Sequence, residues 1–249
     1  MDIVLLLTGC INPNGMAYTS LNDKEERKRQ YVNAIRHYLI HTDFPVIFTE
    51  NSDTDISSLF QDDIKTGRFE CLTFQGNRNK EKGKGYGECE IIQYALNNSI
   101  LIKSQKDLRI VKITGRLIIS NIRHVIFLHT IISSSRTTFC MINSDLSFPD
   151  SRIILAHISF YKAFLMYKEK INDNEGYFFE HALCDIIKDD QRFPYSPFFI
   201  QPQIIGMSGS TGIYYPNEPS SCSRKIRYAK YAASQLRKFR KLYRNNKKI

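Results

Sequence analysis

Short apolar runs alternate with amphipathic stretches through the first half of the chain. Residues 2–8 (DIVLLLT) are a compact apolar run closed by Gly9, the pattern of a buried strand. Residues 22–41 carry Val32, Ile35 and Leu39 at helical spacing, with Asn22 and Asp23 suited to the start, and predict a helix. Residues 45–50 (PVIFTE) and 69–74 (FECLTF) read as a second and a third strand. A polar glycine-bearing segment, GNRNKEKGKGYGE, precedes a helix predicted over 88–103, with Ile91, Ile92, Ala95, Leu96 and Ser99 on its inner side. Residues 109–114 (RIVKIT) read as another strand, ended by Gly115. Beyond residue 120 the pattern loosens. HVIFLHT and TTFCMIN predict strands, SFYKAFLMYKEK and YFFEHALCDIIKD predict amphipathic helices, and Arg192 to Pro219 reads mostly as loop.

Strands alternating with helices predict an α/β fold with a mostly parallel, doubly wound sheet flanked by helices. Right-handed crossovers then bring the C-terminal ends of the strands to one edge, where such sheets take ligands. The polar residues at those ends are Thr8, Glu50 with Asn51, and Thr114 with Arg116.

Composition narrows the picture. The 249 residues are 42% hydrophobic and 24% charged, which supports a sizeable core and argues against disorder. No apolar run is long enough to span a bilayer. The short apolar run at the start, with Asp2 before it, does not suit a secretion signal. Six scattered cysteines without a CxxC pair exclude a zinc ribbon and point to a reducing, cytoplasmic setting.

Charge is unevenly placed. The net charge is +10, yet the last 26 residues hold eleven of the 35 basic residues and no acid. The body therefore carries 24 basic against 25 acidic residues, a balance of −1. In this tail Ala229, Ala232, Leu236, Phe239 and Tyr243 recur at spacings of three and four, so they share a helix face. The chain accordingly divides into residues 1–222 and a basic amphipathic helix over 223–249. Three readings of that helix stand: attachment to an anionic membrane, docking on the body with a solvated basic rim, or a grip on nucleic acid with tyrosines stacking on bases.

Four segments resemble parts of one enzyme family. VIFTENSDTDISSL, an apolar strand followed by small polar and acidic residues, is similar to the second strand and acidic turn of family-2 glycosyltransferases and their GT-A-fold relatives. KGKGYGECEIIQYALNNS is similar to their polar loop and the helix over the nucleotide. VKITGR stands where those enzymes usually end a strand in a metal-binding DxD, and here it offers Thr114, Gly115 and Arg116 in place of carboxylates. FFEHALCDII resembles the late helix opened by a carboxylate pair, with Glu180 and His181 at the matching places. KGYGE followed by KITGR further resembles bacterial glycosyltransferases of capsule and O-antigen assembly.

The resemblance covers roughly residues 1–190 and implies sugar transfer from a nucleotide-sugar donor to a saccharide acceptor in surface polysaccharide synthesis. Glu50 and Asn51 would hold the nucleoside and Lys84 and Arg116 the diphosphate, with Thr8, Gly85, Thr114 and Gly115 completing the nucleotide-sugar site. Glu180, with His181 as partner or substitute, would deprotonate the acceptor with inversion at the anomeric carbon. A guanidinium in the strand-end position can neutralise a departing diphosphate as a metal would, so no cofactor is required, although a divalent metal stays open. Asn143, Ser144 and Asp145 give at most a degraded DxD, and the loop with Ser208, Gly209, Ser210 and Gly212 suits a cover over a sugar but not the GxSxG elbow of a hydrolase. The implied acceptor is lipid-linked or an oligosaccharide, and the implied place is the cytoplasmic face of the membrane, through residues 224–249. The alternatives are a nucleotide or nucleic-acid binding module and a non-catalytic partner in polysaccharide assembly.

Overall fold

The computed structural model describes residues 2–13, 21–208, 212–217 and 221–246. Four strands run parallel at its centre: β1 (Asp2–Gly9), β2 (Val46–Glu50), β3 (Phe69–Thr73) and β4 (Leu108–Thr114). Between them lie α1 (Lys24–His41), the short α2 (Gln61–Lys65), α3 (Lys84–Asn98) and α4 (Ile100–Lys103). After β4 come β5 (Ile118–Ile119), α5 (Ile122–Ile131), β6 (Thr138–Phe139), β7 (Ile153–His157), α6 (Ile158–Phe164), α7 (Phe179–Asp189), β8 (Tyr195–Ser196), β9 (Ile204–Met207), β10 (Tyr214–Tyr215) and α8 (Cys222–Asn246). The main sheet has the order β3-β2-β1-β4-β7-β6-β8 and is mostly parallel, with helices on both faces. A small second sheet joins β10, β9 and β5.

Burial on both faces explains why the central strands read as continuous apolar runs. Successive side chains of a strand point to opposite faces. Val4 and Leu6 therefore pack with Ile92, Phe160 and Leu183 from α3, α6 and α7, while Leu5 and Leu7 pack with Ile35, Tyr38 and Val125 from α1 and α5. Asp23 caps α1, its carboxylate accepting from the Glu26 N–H at 3.0 Å.

The structure departs from the sequence expectation in several places. β7 runs antiparallel to β4, Ile113 facing Ile153, so it reaches the ligand-bearing edge with its first residues rather than its last. HVIFLHT is helical, not extended. Ile122, Val125, Ile126 and His129 recur at helical spacing and are buried, whereas Phe127 and Ile131 are left exposed. α3 begins at Lys84, so Gly85 and Gly87 belong to its first turn and not to a preceding loop. The stretch from Arg192 to Pro219, expected to be mostly loop, is so among its described residues, with the short β8, β9 and β10 set into it. The expected cover at Gly209 and Ser210, and Lys247 and Lys248 of the tail, lie outside the described residues.

The tail is one helix, α8, docked on the body. Tyr228, Ala232, Gln235 and Phe239 are buried, and Tyr243 donates from its hydroxyl to the Ile187 carbonyl at 2.8 Å. Ala232, Phe239 and Tyr243 of the expected stripe face the body. Ala229 is exposed, because the stripe is rotated by one residue to bring Tyr228 inward. The apolar face is thus already covered by protein. Among the described residues no helix is long and apolar enough to cross a membrane.

Candidate active site

The loops leaving the parallel strands enclose a cavity of about 450 Å³ at one edge of the sheet. All four segments singled out in the sequence reach its wall. Asn51 comes from the turn after β2, and Lys84 with Gly85 from the start of α3. Thr114 and Arg116 come from the end of β4, and Glu180 from the first turn of α7. Thr8, near the end of β1, joins them.

Arg27, Arg116 and Lys84 line this cavity, the two guanidinium groups close enough to act on the ammonium. Arg27, from α1, is 5% exposed and donates from Nε to the Cys10 carbonyl at 2.9 Å. Arg116 is 6% exposed, donates from Nη1 to Gln30 Oε1 at 3.0 Å, and lies over the Tyr31 ring at 5.9 Å. Its buried Nε has no hydrogen-bond partner among the described residues. Burial lowers the pKa of the Lys84 ammonium, Arg27 and Arg116 push the same way, and Asp173 and Glu180 oppose them. Like charges held together in a half-buried hollow make a place for an anion.

Carboxylates line the same cavity. Glu88 Oε1 accepts from Thr8 Oγ1 at 2.7 Å and pairs with the buried Lys112 ammonium at 2.6 Å. Lys112 also donates to the Ser151 carbonyl at 2.8 Å. Ser151 in turn donates from its hydroxyl to Glu180 Oε1 at 2.6 Å. Burial raises the Glu180 pKa above the usual carboxylate range, and nearby Asp173 adds to the effect. The Ser151 hydrogen bond and Lys112 act against it.

Asp173 is the carboxylate that explains the glycines. It accepts from the Gly85 N–H at 3.1 Å and from the Lys84 N–H, so it caps α3 from outside. A Cβ on Gly83, which has φ +87°, would stand 2.5 Å from the Asp173 side chain, and one on Gly85 would stand 2.8 Å from Oδ1. The close approach that the glycines permit is therefore made by the chain's own carboxylate.

Three of the expected site residues sit off the wall. Glu50 is fully buried. Its Oε1 accepts from the N–H groups of Ile11 (2.9 Å) and Ser52 (2.8 Å) and from the Ser52 hydroxyl. Its Oε2 accepts from Thr54 N–H (2.9 Å) and Thr73 Oγ1 (3.1 Å). This carboxylate builds the loops instead of facing the hollow. Gly115 lets β4 pass Thr8, donating to the Thr8 carbonyl at 2.9 Å, and a Cβ there would lie 2.6 Å from that oxygen. His181 turns away, its Nδ1 accepting from the Phe178 N–H at 3.0 Å as a cap of α7. Asn143 and Asp145 form a turn closed on Ser147, with Asp145 exposed.

Sequence reasoning passed over Arg27, Asn77, Glu88, Lys112 and Ser151. Lys112 had a signal, since a cation between the apolar residues of IVKI must find a partner once buried. Arg27 also had one, four residues before Tyr31 on the same helix face. Asn77, with φ 57°, exchanges amide hydrogen bonds with Asn51, and nothing local announces that pairing.

A second cavity, of about 680 Å³, shares Thr114, Ser151 and Glu180 with the first. Glu180 thus stands on the partition between two hollows, one rich in cations. Among the described residues no three His, Cys, Asp or Glu side chains are grouped to hold a metal ion. A bound anion on one side and a nucleophile's proton accepted by a carboxylate on the other are what this arrangement can serve.

No family model matches the chain, and no curated protein matches it. Among solved structures it is similar to a cytidylyltransferase from Leptospira borgpetersenii serovar Hardjo-bovis, at 11% identity over 83% of this chain and 82% of that one, with a TM-score of 0.48. That likeness is too low to bear on function.

Proposed function

We propose that the protein is a GT-A-like glycosyltransferase that moves a sugar from a nucleotide-sugar donor to a hydroxyl of a saccharide acceptor. One observation carries the reading: Glu180 stands between a cation-rich cavity and a second cavity, and all four family-like segments reach the first. Arg116, Arg27 and Lys84 hold the diphosphate and stabilise it as it leaves. Asn51 and Thr8 lie on the nucleoside side. The acceptor sits in the second cavity. Its hydroxyl gives its proton to Glu180 as its oxygen attacks the anomeric carbon from the face opposite the diphosphate, which inverts that centre. Burial raises the Glu180 pKa, which makes its carboxylate a stronger base. The three cations supply charge that a metal would otherwise bring, so transfer is expected to proceed in EDTA. The family resemblance supports surface polysaccharide synthesis on a lipid-linked or oligosaccharide acceptor as the setting.

The test combines binding and turnover. Calorimetry with UDP, GDP, dTDP and CMP and their common sugar esters is expected to find one nucleotide class that binds. Glu180→Gln is expected to keep that binding while transfer falls by about 10²–10⁴-fold. No binding by any class, or undiminished transfer in the variant, would overturn the proposal.

A further inference from the structure

α8 has two faces of different fate. Its apolar stripe is covered by the body, with the rings of Phe239 and Tyr195 4.1 Å apart. The tyrosines near the stripe are held by their hydroxyls: Tyr228 donates to the Phe198 carbonyl at 2.8 Å and Tyr231 to the Ile142 carbonyl at 2.6 Å. All nine described lysines and arginines of the helix, from Arg224 to Arg244, are exposed, and no acid lies among them. Docking fixes the helix's rotation, so these cations stay at the surface, with Lys238 also reaching the Ser144 carbonyl.

Aliphatic and interfacial groups lie at one end of that surface. Ile226 is 53% exposed on α8, and Ile213 and Tyr214 are 59% and 60% exposed at β10. Arg224 and Tyr215 line one small cavity, which places β10 near the start of α8. Exposed isoleucines beside a tyrosine and a row of cations match the chemistry of a bilayer surface. The aliphatic groups enter the acyl boundary, the tyrosine sits at headgroup level, and the cations meet anionic headgroups. A single-stranded nucleic acid would call instead for free aromatic faces among the cations. Tyr228, Tyr231, Phe239 and Tyr243 are committed to the body, so of the rings near these cations it is Tyr214 that stands exposed.

We infer that the exposed face of α8, together with Ile213, Tyr214 and Ile226, is a docking surface for an anionic lipid bilayer. Attachment runs through the cations and the β10 end and not through the helix's apolar stripe. This surface stands on its own, whether or not the cavity transfers sugar.

Sedimentation of the full chain with sucrose-loaded vesicles tests it. Binding to phosphatidylcholine mixed with phosphatidylglycerol is expected to exceed binding to phosphatidylcholine alone by at least tenfold, and to weaken as salt shortens the range of the attraction. Reversing three exposed charges (Lys225→Glu, Arg227→Glu, Lys230→Glu) is expected to remove that preference. Ile213→Asp with Ile226→Asp is expected to weaken what binding persists at high salt. Reversing body lysines (Lys65→Glu, Lys103→Glu) is expected to change nothing, and circular dichroism melts establish that the variants fold. Equal binding to both vesicle types, or full binding by the α8 reversal, would overturn the inference. So would tighter binding to a single-stranded RNA oligonucleotide at the same salt, lost in that same variant.

Discussion

Gly115 and His129 show how single residues set the conditions for the rest. At Gly115 the strand carrying Arg116 passes so close to β1 that a methyl group would press on the Thr8 carbonyl at 2.6 Å and the Tyr31 ring at 3.2 Å. Gly115→Ala is therefore expected to cost about 1–3 kcal/mol, read from urea midpoints. His129 is fully buried; its Nδ1 faces the Val125 carbonyl, and its Nε2 accepts from the Phe199 N–H at 2.7 Å. Burial holds its pKa down to about 4, against 6.5 for a free imidazole. Between those values the unfolded chain carries the extra proton. Stability therefore falls as pH drops from about 6.5 to about 4, by up to about 3 kcal/mol. Urea unfolding across that range is expected to show the advantage of wild type over His129→Gln shrinking toward the acid end. Neither role was legible in the sequence. Gly115 stood out as the end of a strand, and His129 fell in a segment read as extended.

At the scale of elements, legibility followed burial on two sides. β1 and β2 were plain because a strand covered on both faces is mostly apolar, and β4 kept that character despite Arg109 and Lys112, whereas β3, at the sheet edge, is half-buried beyond Phe69. α5 was misread because β-branched residues crowd its sequence and its outer face keeps Phe127 and Ile131, which hides the helical period. β7 went unpredicted, although IILAH has the same apolar character as the central strands. α8 was recognised as amphipathic, but sequence cannot say whether protein or lipid covers an apolar stripe. Its docking gives a direct expectation. Phe239 is 1% exposed between Tyr195 and Tyr243. Phe239→Ala is expected to destabilise the whole protein by about 3–5 kcal/mol, and not merely to fray a terminus, as guanidinium unfolding followed at several wavelengths would register.

For the whole molecule, the decisive feature is that one sheet edge gathers loops far apart in sequence. Four parallel strands bring their last residues there, and reversed β7 brings Ser151 and Arg152 to the same place, where the Arg152 carbonyl accepts from the Thr114 N–H at 3.0 Å. The order of the segments foretold which would meet. It could not foretell that a carboxylate of suggestive position, Glu50, would be interior. That carboxylate fastens the loop at Ile11, the turn at Ser52 and Thr54, and the end of β3 at once. Glu50→Gln weakens several bonds to a buried charge, about 3 kcal/mol in sum, and is expected to lower the melting temperature by roughly 6–12 °C in a scanning calorimeter. A genetic screen scoring only lost phenotype would rank Glu50 beside Glu180, the base of the proposed transfer. Heat is expected to separate them, the Glu50 variant unfolding early and the Glu180 variant, if the proposed function holds, staying folded while transfer is lost.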